Sequence, residues 1–136
     1  MLAVALALAM AGAAPATPAE PPLSPAQKAV VEKVISRLKS PEERNLASGW
    51  SNAKKVAEFI CRPAALPALR RQAPGADKVF LGTDDPTTLT LVSKRSLTGV
   101  GQVRSGAAWR DFTFTCALTP SSGKVAGFTA VLKPAA

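Results

Sequence analysis

Apolar positions recur along this chain with two different periods, and the change falls near residue 77. Upstream, residues 26–39 (AQKAVVEKVISRLK) place Val31, Val34, Ile35 and Leu38 on one helical face, with Lys28, Glu32, Lys33 and Lys39 elsewhere. Ser24 followed by Pro25 supplies a cap and a first-turn proline. The run SPEE at 40–43 has the form of a capping box, so a second helix is expected from Pro41 toward Leu46 or Ala47. Gly49 interrupts it and Ser51 can cap again. The stretch NAKKVAEFICR then sets Ala53, Val56, Ala57 and Ile60 on one face, flanked by Phe59 and Cys61. Pro63 is expected to break or restart the chain, leaving AALPALRRQ as a last short helix before Pro74 and Gly75.

Downstream the period falls to two. The segments 78–82 (KVFLG), 88–93 (TLTLVS), 96–104 (SLTGVGQVR), 108–119 (AWRDFTFTCALT) and 124–133 (KVAGFTAVLK) read as strands. Ser105-Gly106 and PSSG at 120–123 are turn chemistry, and Gly99 and Gly101 weaken the third strand. Consecutive strands with short turns predict an antiparallel meander. Helices first and strands afterwards predict an α+β fold: two to three N-terminal helices packed on one face of a three- to four-stranded antiparallel meander.

The first residues do not share this patterning. Residues 2–14 (LAVALALAMAGAA) form an apolar run ending in small-residue sites, the form of a secretory signal peptide over 1–16, too short to span a bilayer. No cysteine follows it, which argues against a lipid anchor. Residues 17–25 are expected to be a Pro-rich leader with little that could pack, and 26–136 a single domain. The protein is therefore expected in the periplasm or outside the cell, with no transmembrane anchor.

Charge narrows the partner. The chain has 17 Lys and Arg against 9 Asp and Glu, a net +8, with the charges scattered rather than blocked. Such a surface favours an anionic envelope component or an acidic protein, or serves solubility alone. There is no His, so the commonest general base at neutral pH and the commonest metal ligand are both missing. Two distant cysteines cannot make a Cys-rich zinc site. Neither a Gly-rich phosphate loop nor an aromatic RNA-binding signature is present, and export argues against nucleic acid. Asp84 and Asp85 in GTDDPTT are adjacent carboxylates, but their setting is ordinary turn chemistry. The reading is of no enzyme and no metal or cofactor, and no residue is assigned to catalysis.

The two cysteines carry more information. Alternation puts Phe112, Phe114, Cys116 and Leu118 on one strand face, and two Phe with a Leu mark it as the core side. Cys61 ends a helix whose apolar stripe also needs a partner surface. With one inward cysteine on each layer of an exported chain, a Cys61–Cys116 disulfide is the economical reading. A reactive thiol would need a neighbouring base or cation, and neither His nor a C-x-x-C spacing exists.

The stretch GQVRSGAAWRDFTFTCALTPSSGKVAGF resembles the C-terminal signature of an uncharacterised exported bacterial family, domain of unknown function 930. The matching positions are Gly101, Arg104, Ser105, Trp109, Phe114, Cys116, Thr119, Pro120, Val125 and Phe128. Cys61 with Ala65, Leu66 and Leu69 behind it is similar to the family's first cysteine, and Arg110 stands where an aromatic often follows the Trp. The resemblance implies export and a paired Cys61 and Cys116. It implies no activity, because the family has none established.

The expected function is a non-enzymatic binding or interaction module in the bacterial envelope. Its expected surface is the sheet face opposite the helices, near Trp109, Arg110 and Arg104. Trp109 has the parity opposite Cys116, and Lys94 and Arg95 join a basic patch if their strands are neighbours. The alternative is a membrane-surface or cell-wall-associated structural protein acting through its positive charge.

Overall fold

The computed structural model describes residues 20–134. The signal-peptide reading of 1–16 and the start of the leader lie outside the described residues.

Helix α1 (Pro25–Ser36) begins as expected, with Ser24 as its cap. Gln27 completes a capping box: its backbone N–H donates to Ser24 Oγ, and its Oε1 accepts from the Ser24 N–H. The inward side carries Gln27, Val30, Val31 and Ile35. Helix α2 (Pro41–Ser48) is capped by Ser40, which accepts from the Glu43 N–H. Helix α3 (Asn52–Val56) is capped by Ser51, as the sequence predicted.

The chain does not break at Pro63. α3 passes through a π-helical turn (Ala57–Cys61) directly into α4 (Arg62–Arg70). Proline cannot donate, and its ring crowds the carbonyl four residues earlier. The wider turn just upstream, closed by the Arg62 N–H on the Ala57 carbonyl, lets the helix continue through it.

Residues 20–24 are part of the fold, which corrects the leader boundary. Leu23 and Ser24 are buried, and Ser24 Oγ donates to the Pro120 carbonyl at 2.6 Å. Glu20 accepts from the Ala53 N–H and the Pro21 carbonyl from Asn52 Nδ2, so this strap is pinned to the start of α3. Prolines that preset an extended backbone suit a strap of this kind.

The strands are β1 (Ala76–Leu81), β2 (Leu89–Ser93), β3 (Ser96–Ser105), β4 (Ala108–Thr119) and β5 (Lys124–Leu132). β1 and β2 both pair antiparallel with β3, one with each half of it, so they share a single lane. The four lanes run β1/β2, β3, β4, β5. The excursion between β1 and β2 holds a short 3₁₀ turn (Pro86–Thr88) that Asp85 caps by accepting from the Thr87 N–H.

The α+β expectation therefore holds. Phe112, Phe114, Cys116 and Leu118 face inward together with Leu97, Val103, Val79, Leu81 and Leu91. They meet Val31, Val56, Ala57, Ile60, Ala65 and Leu69 from the helical layer. The disulfide joins the two layers: Cys61 and Cys116 are fully buried and bonded, with Cα atoms 6.2 Å apart. Cross-linking positions 55 residues apart removes about 4 kcal/mol of unfolded-state freedom in the chain-entropy model. Cys116 is a staple, and no free cysteine is found among the described residues.

Candidate interaction face

The outer side of the sheet is built by the residues that alternate with the core positions. Trp109 lies there and is 43% exposed, as its parity predicted. Its register partner on β3 is Arg104. One lane further out, Lys78 pairs with Arg104 and Phe80 with Gln102, which brings Phe80 onto the same face. Phe80 and Trp109 stack with centroids 5.6 Å apart and planes 15° off parallel. Phe80 is 39% exposed, so the pair presents an open aromatic platform.

Cations surround that platform. Lys78 Nζ lies 5.4 Å from the Phe80 centroid, and the Arg104 guanidinium lies 5.7 Å from the Trp109 centroid. Arg62 reaches the Phe80 ring from α4, also at 5.7 Å, across the free edge of β1. Two of these cations are held in place by carboxylates. Arg62 bonds Glu58 one helical turn back at 2.9 Å. Arg104 makes a two-pronged pair with Asp77, Nε to Oδ1 at 3.0 Å and Nη2 to Oδ2 at 2.8 Å.

Asp77 reaches Arg104 because it sits at a register shift: Ala76 pairs with Ser105 and Lys78 with Arg104, leaving Asp77 as the extra residue of a bulge. The hydrogen bond from Arg104, and after it the guanidinium charge, hold the Asp77 carboxyl below the usual carboxylate range. The same bond raises Arg104 in turn. Neither ion pair among the described residues includes Lys78.

Three of the expected surface residues lie elsewhere. Arg110 has the parity of Phe112 and pairs with the buried Val103, so it points to the opposite face from Trp109. There its guanidinium donates to the Lys133 carbonyl at 2.9 and 3.3 Å, tying the start of β4 to the end of β5. Lys94 and Arg95 form the β2–β3 turn at the far end of β3 from Arg104. At ~3.3 Å rise per residue that separation is about 30 Å, so the basic residues do not form one patch.

Sequence reasoning missed Phe80. The signal was present in KVFL: with Val79 and Leu81 as core residues, alternation puts Phe80 outside. Asp77 could not have been found that way, because a bulge breaks the parity. Asp85, one of the paired carboxylates, is occupied as a turn cap, accepting from both the N–H and the Oγ1 of Thr87. The Thr87 backbone bond, with the hydroxyl bond second, lowers its carboxyl.

Among the described residues no helix is long and apolar enough to cross a membrane. Comparison with known proteins finds no matching family model, curated protein or solved structure.

Proposed function

We propose that this protein is an exported, non-enzymatic binding module that holds an anionic partner of the bacterial envelope against the Phe80–Trp109 pair. The observation that carries the reading is the exposed stack itself, on the outer face of the sheet. Large aromatic side chains left open on a rigid sheet supply contact area at little cost in lost motion. Arg62 and Arg104, positioned by Glu58 and Asp77, fix the edges of the platform, and Lys78 is the cation left for an anionic group. A buried disulfide is compatible with an oxidising compartment. The resemblance to domain of unknown function 930 supports export and assigns no chemistry.

Surface association through net charge alone is the alternative. It draws on long-range attraction, which is screened beyond ~8 Å at 0.15 M salt. Capture from envelope extract at that ionic strength, with wild type and the Phe80→Ala/Trp109→Ala variant side by side, separates the two. The proposed reading predicts a partner that survives moderate salt and is lost with the aromatic pair. Indistinguishable partner lists for the two proteins would remove this face from the account.

A further inference from the structure

The outer face of the sheet continues past the aromatic pair. Every second residue of β3 points outward, and the register lines it up with its neighbours in rows across the lanes. Next to the Lys78–Arg104–Trp109 row comes Phe80–Gln102–Asp111. Val100–Thr113–Val131 follows, and then Thr90–Thr98–Thr115–Thr129, four threonines in one line. From Arg104 to Thr98 the face runs about 20 Å at ~3.3 Å rise per residue.

Three hollows join along this line. A shallow trough of about 420 Å³ crosses the threonine rows, from Thr90 to Thr129. Val100 links it to a hollow of about 270 Å³ between Gln102, Asp111 and Lys133. Gln102 and Thr83 link that one to a hollow of about 320 Å³ beside Phe80. The platform is thus one end of a track.

The chemistry changes along its length. Rings and cations stand at the platform end. Midway, Gln102 Nε2 donates to Asp111 Oδ1 at 2.9 Å on the exposed surface, and Lys133 lines the same hollow. The far end is neutral. Thr129 Oγ1 lies 3.5 Å from the Thr115 carbonyl, and the hydroxyls of Thr90, Thr98, Thr113 and Thr115 bond no protein group among the described residues. Branching at Cβ restricts their rotamers, so these hydroxyls are set in place before a ligand arrives.

That floor selects the occupant. Covering it with the apolar face of a helix or strand would strip water from the hydroxyls and leave them without partners, at a cost for each. A ligand that itself bears hydroxyls replaces the lost bonds. The platform end adds two requirements, an apolar surface to lie against aromatic rings and an acidic group for Lys78. A chain of acidic sugars meets them all: each ring has an apolar C–H face, hydroxyls around its rim and a carboxylate. We propose, on the strength of the platform reading, that the partner held there is an acidic polysaccharide, laid along the outer face from Trp109 to the threonine rows. One sugar packs against the Phe80–Trp109 pair with its carboxylate on Lys78. Gln102 and Asp111 take the hydroxyls of the next, and Thr98, Thr113 and Thr115 bond the units beyond.

The test follows the Trp109 indole signal of the full chain at 0.15 M salt, where long-range attraction is screened beyond ~8 Å. The probes are a galacturonate hexamer, the same hexamer with its carboxylates reduced to alcohols, a galacturonate dimer, and a polyglutamate matched in charge to the acidic hexamer. The acidic hexamer should bind at least about tenfold more tightly than the reduced hexamer or the dimer, which is too short to reach the threonines. Polyglutamate should give no shift. Thr98→Val/Thr113→Val/Thr115→Val keeps the side-chain shape and the strand preference, so it should fold. It should lower the affinity for the hexamer toward that for the dimer and leave the dimer unchanged.

Polyglutamate binding as tight as that of the acidic hexamer would overturn the proposal. So would equal affinities for dimer and hexamer, an unaffected valine variant, or no shift with either hexamer. The platform reading is decided separately, by capture from envelope extract. Capture that Phe80→Ala/Trp109→Ala loses, and that protease abolishes but periodate oxidation of the extract does not, would mean a protein partner: the platform stands and the polysaccharide falls. Capture retained by the double variant would remove both.

Discussion

Gly101 faces Phe112 across the β3–β4 ladder, and the Phe112 ring lies in the space that a side chain at 101 would need. A Cβ there would also come within 2.6 Å of the Phe80 carbonyl oxygen, a backbone atom that cannot yield without opening the β1–β3 pair. Gly101→Ala is therefore expected to cost about 1–3 kcal/mol by overpacking. The check is the urea midpoint, which should fall with an unchanged slope. Gly127→Ala is the matched control, because nothing lies within 4 Å of its position, and its midpoint should stay or rise slightly.

The buried disulfide predicts a simple chemical result. Thiol titration of purified, unfolded protein should find no free thiol without reductant and both cysteines after reduction. Cys61→Ala/Cys116→Ala should lose about 4 kcal/mol of unfolding free energy, a large share of the ~5–15 kcal/mol typical of a domain.

Gln27 is the polar counterpart of that staple. It is fully buried, and besides closing the α1 capping box its Nε2 donates to the Lys94 carbonyl at 2.6 Å. One amide thus ties the first turn of α1 to the β2–β3 turn. Gln27→Leu keeps the bulk and removes both links, leaving the Lys94 carbonyl without its partner. A loss of about 1–3 kcal/mol is expected in denaturant unfolding. Amide exchange should rise first at the β2–β3 turn.

Asp77 makes stability depend on pH in a known direction. Its carboxyl is depressed in the folded protein by the Arg104 hydrogen bond, so the unfolded chain binds the proton more readily. The contribution is present above about pH 4, near the ordinary carboxylate value, and is lost as pH falls through the folded value. Because both partners are exposed, the effect is small. Asp77→Asn should flatten the unfolding midpoint against pH below about pH 4. The Asp85 carboxyl, lowered by its Thr87 bonds, should still contribute in that window.

Much of this architecture was legible before any coordinates. The period change near residue 77 separated the layers, and alternation around Cys116 assigned it inward and Trp109 outward. The caps Ser24, Ser40 and Ser51 started three helices where the sequence placed them. What escaped depended on contacts between distant segments. Gly99 and Gly101 read as weak points of a strand, yet they make room for the rings of Phe114 and Phe112. β1 and β2 read as successive lanes, yet the ten residues of β3 are long enough to pair with both. Arg110 sits next to Trp109 in sequence and on the other face in space, as strand geometry requires. Phe80 joined the platform only once β1 was placed beside β3.

The platform can be tested directly because the chain has two tryptophans, one on each layer. Trp109 stacks on Phe80 at the outer sheet face, whereas Trp50 stacks on Phe59 in the helical layer, 5.6 Å between centroids, with Lys54 over its ring. Their indole N–H signals in nitrogen-labelled protein therefore report the two layers separately. On titration with the envelope fraction that the wild-type protein captures, the account predicts that the Trp109 signal shifts and the Trp50 signal stays. A shift confined to Trp50, or capture that moves neither signal, would contradict it.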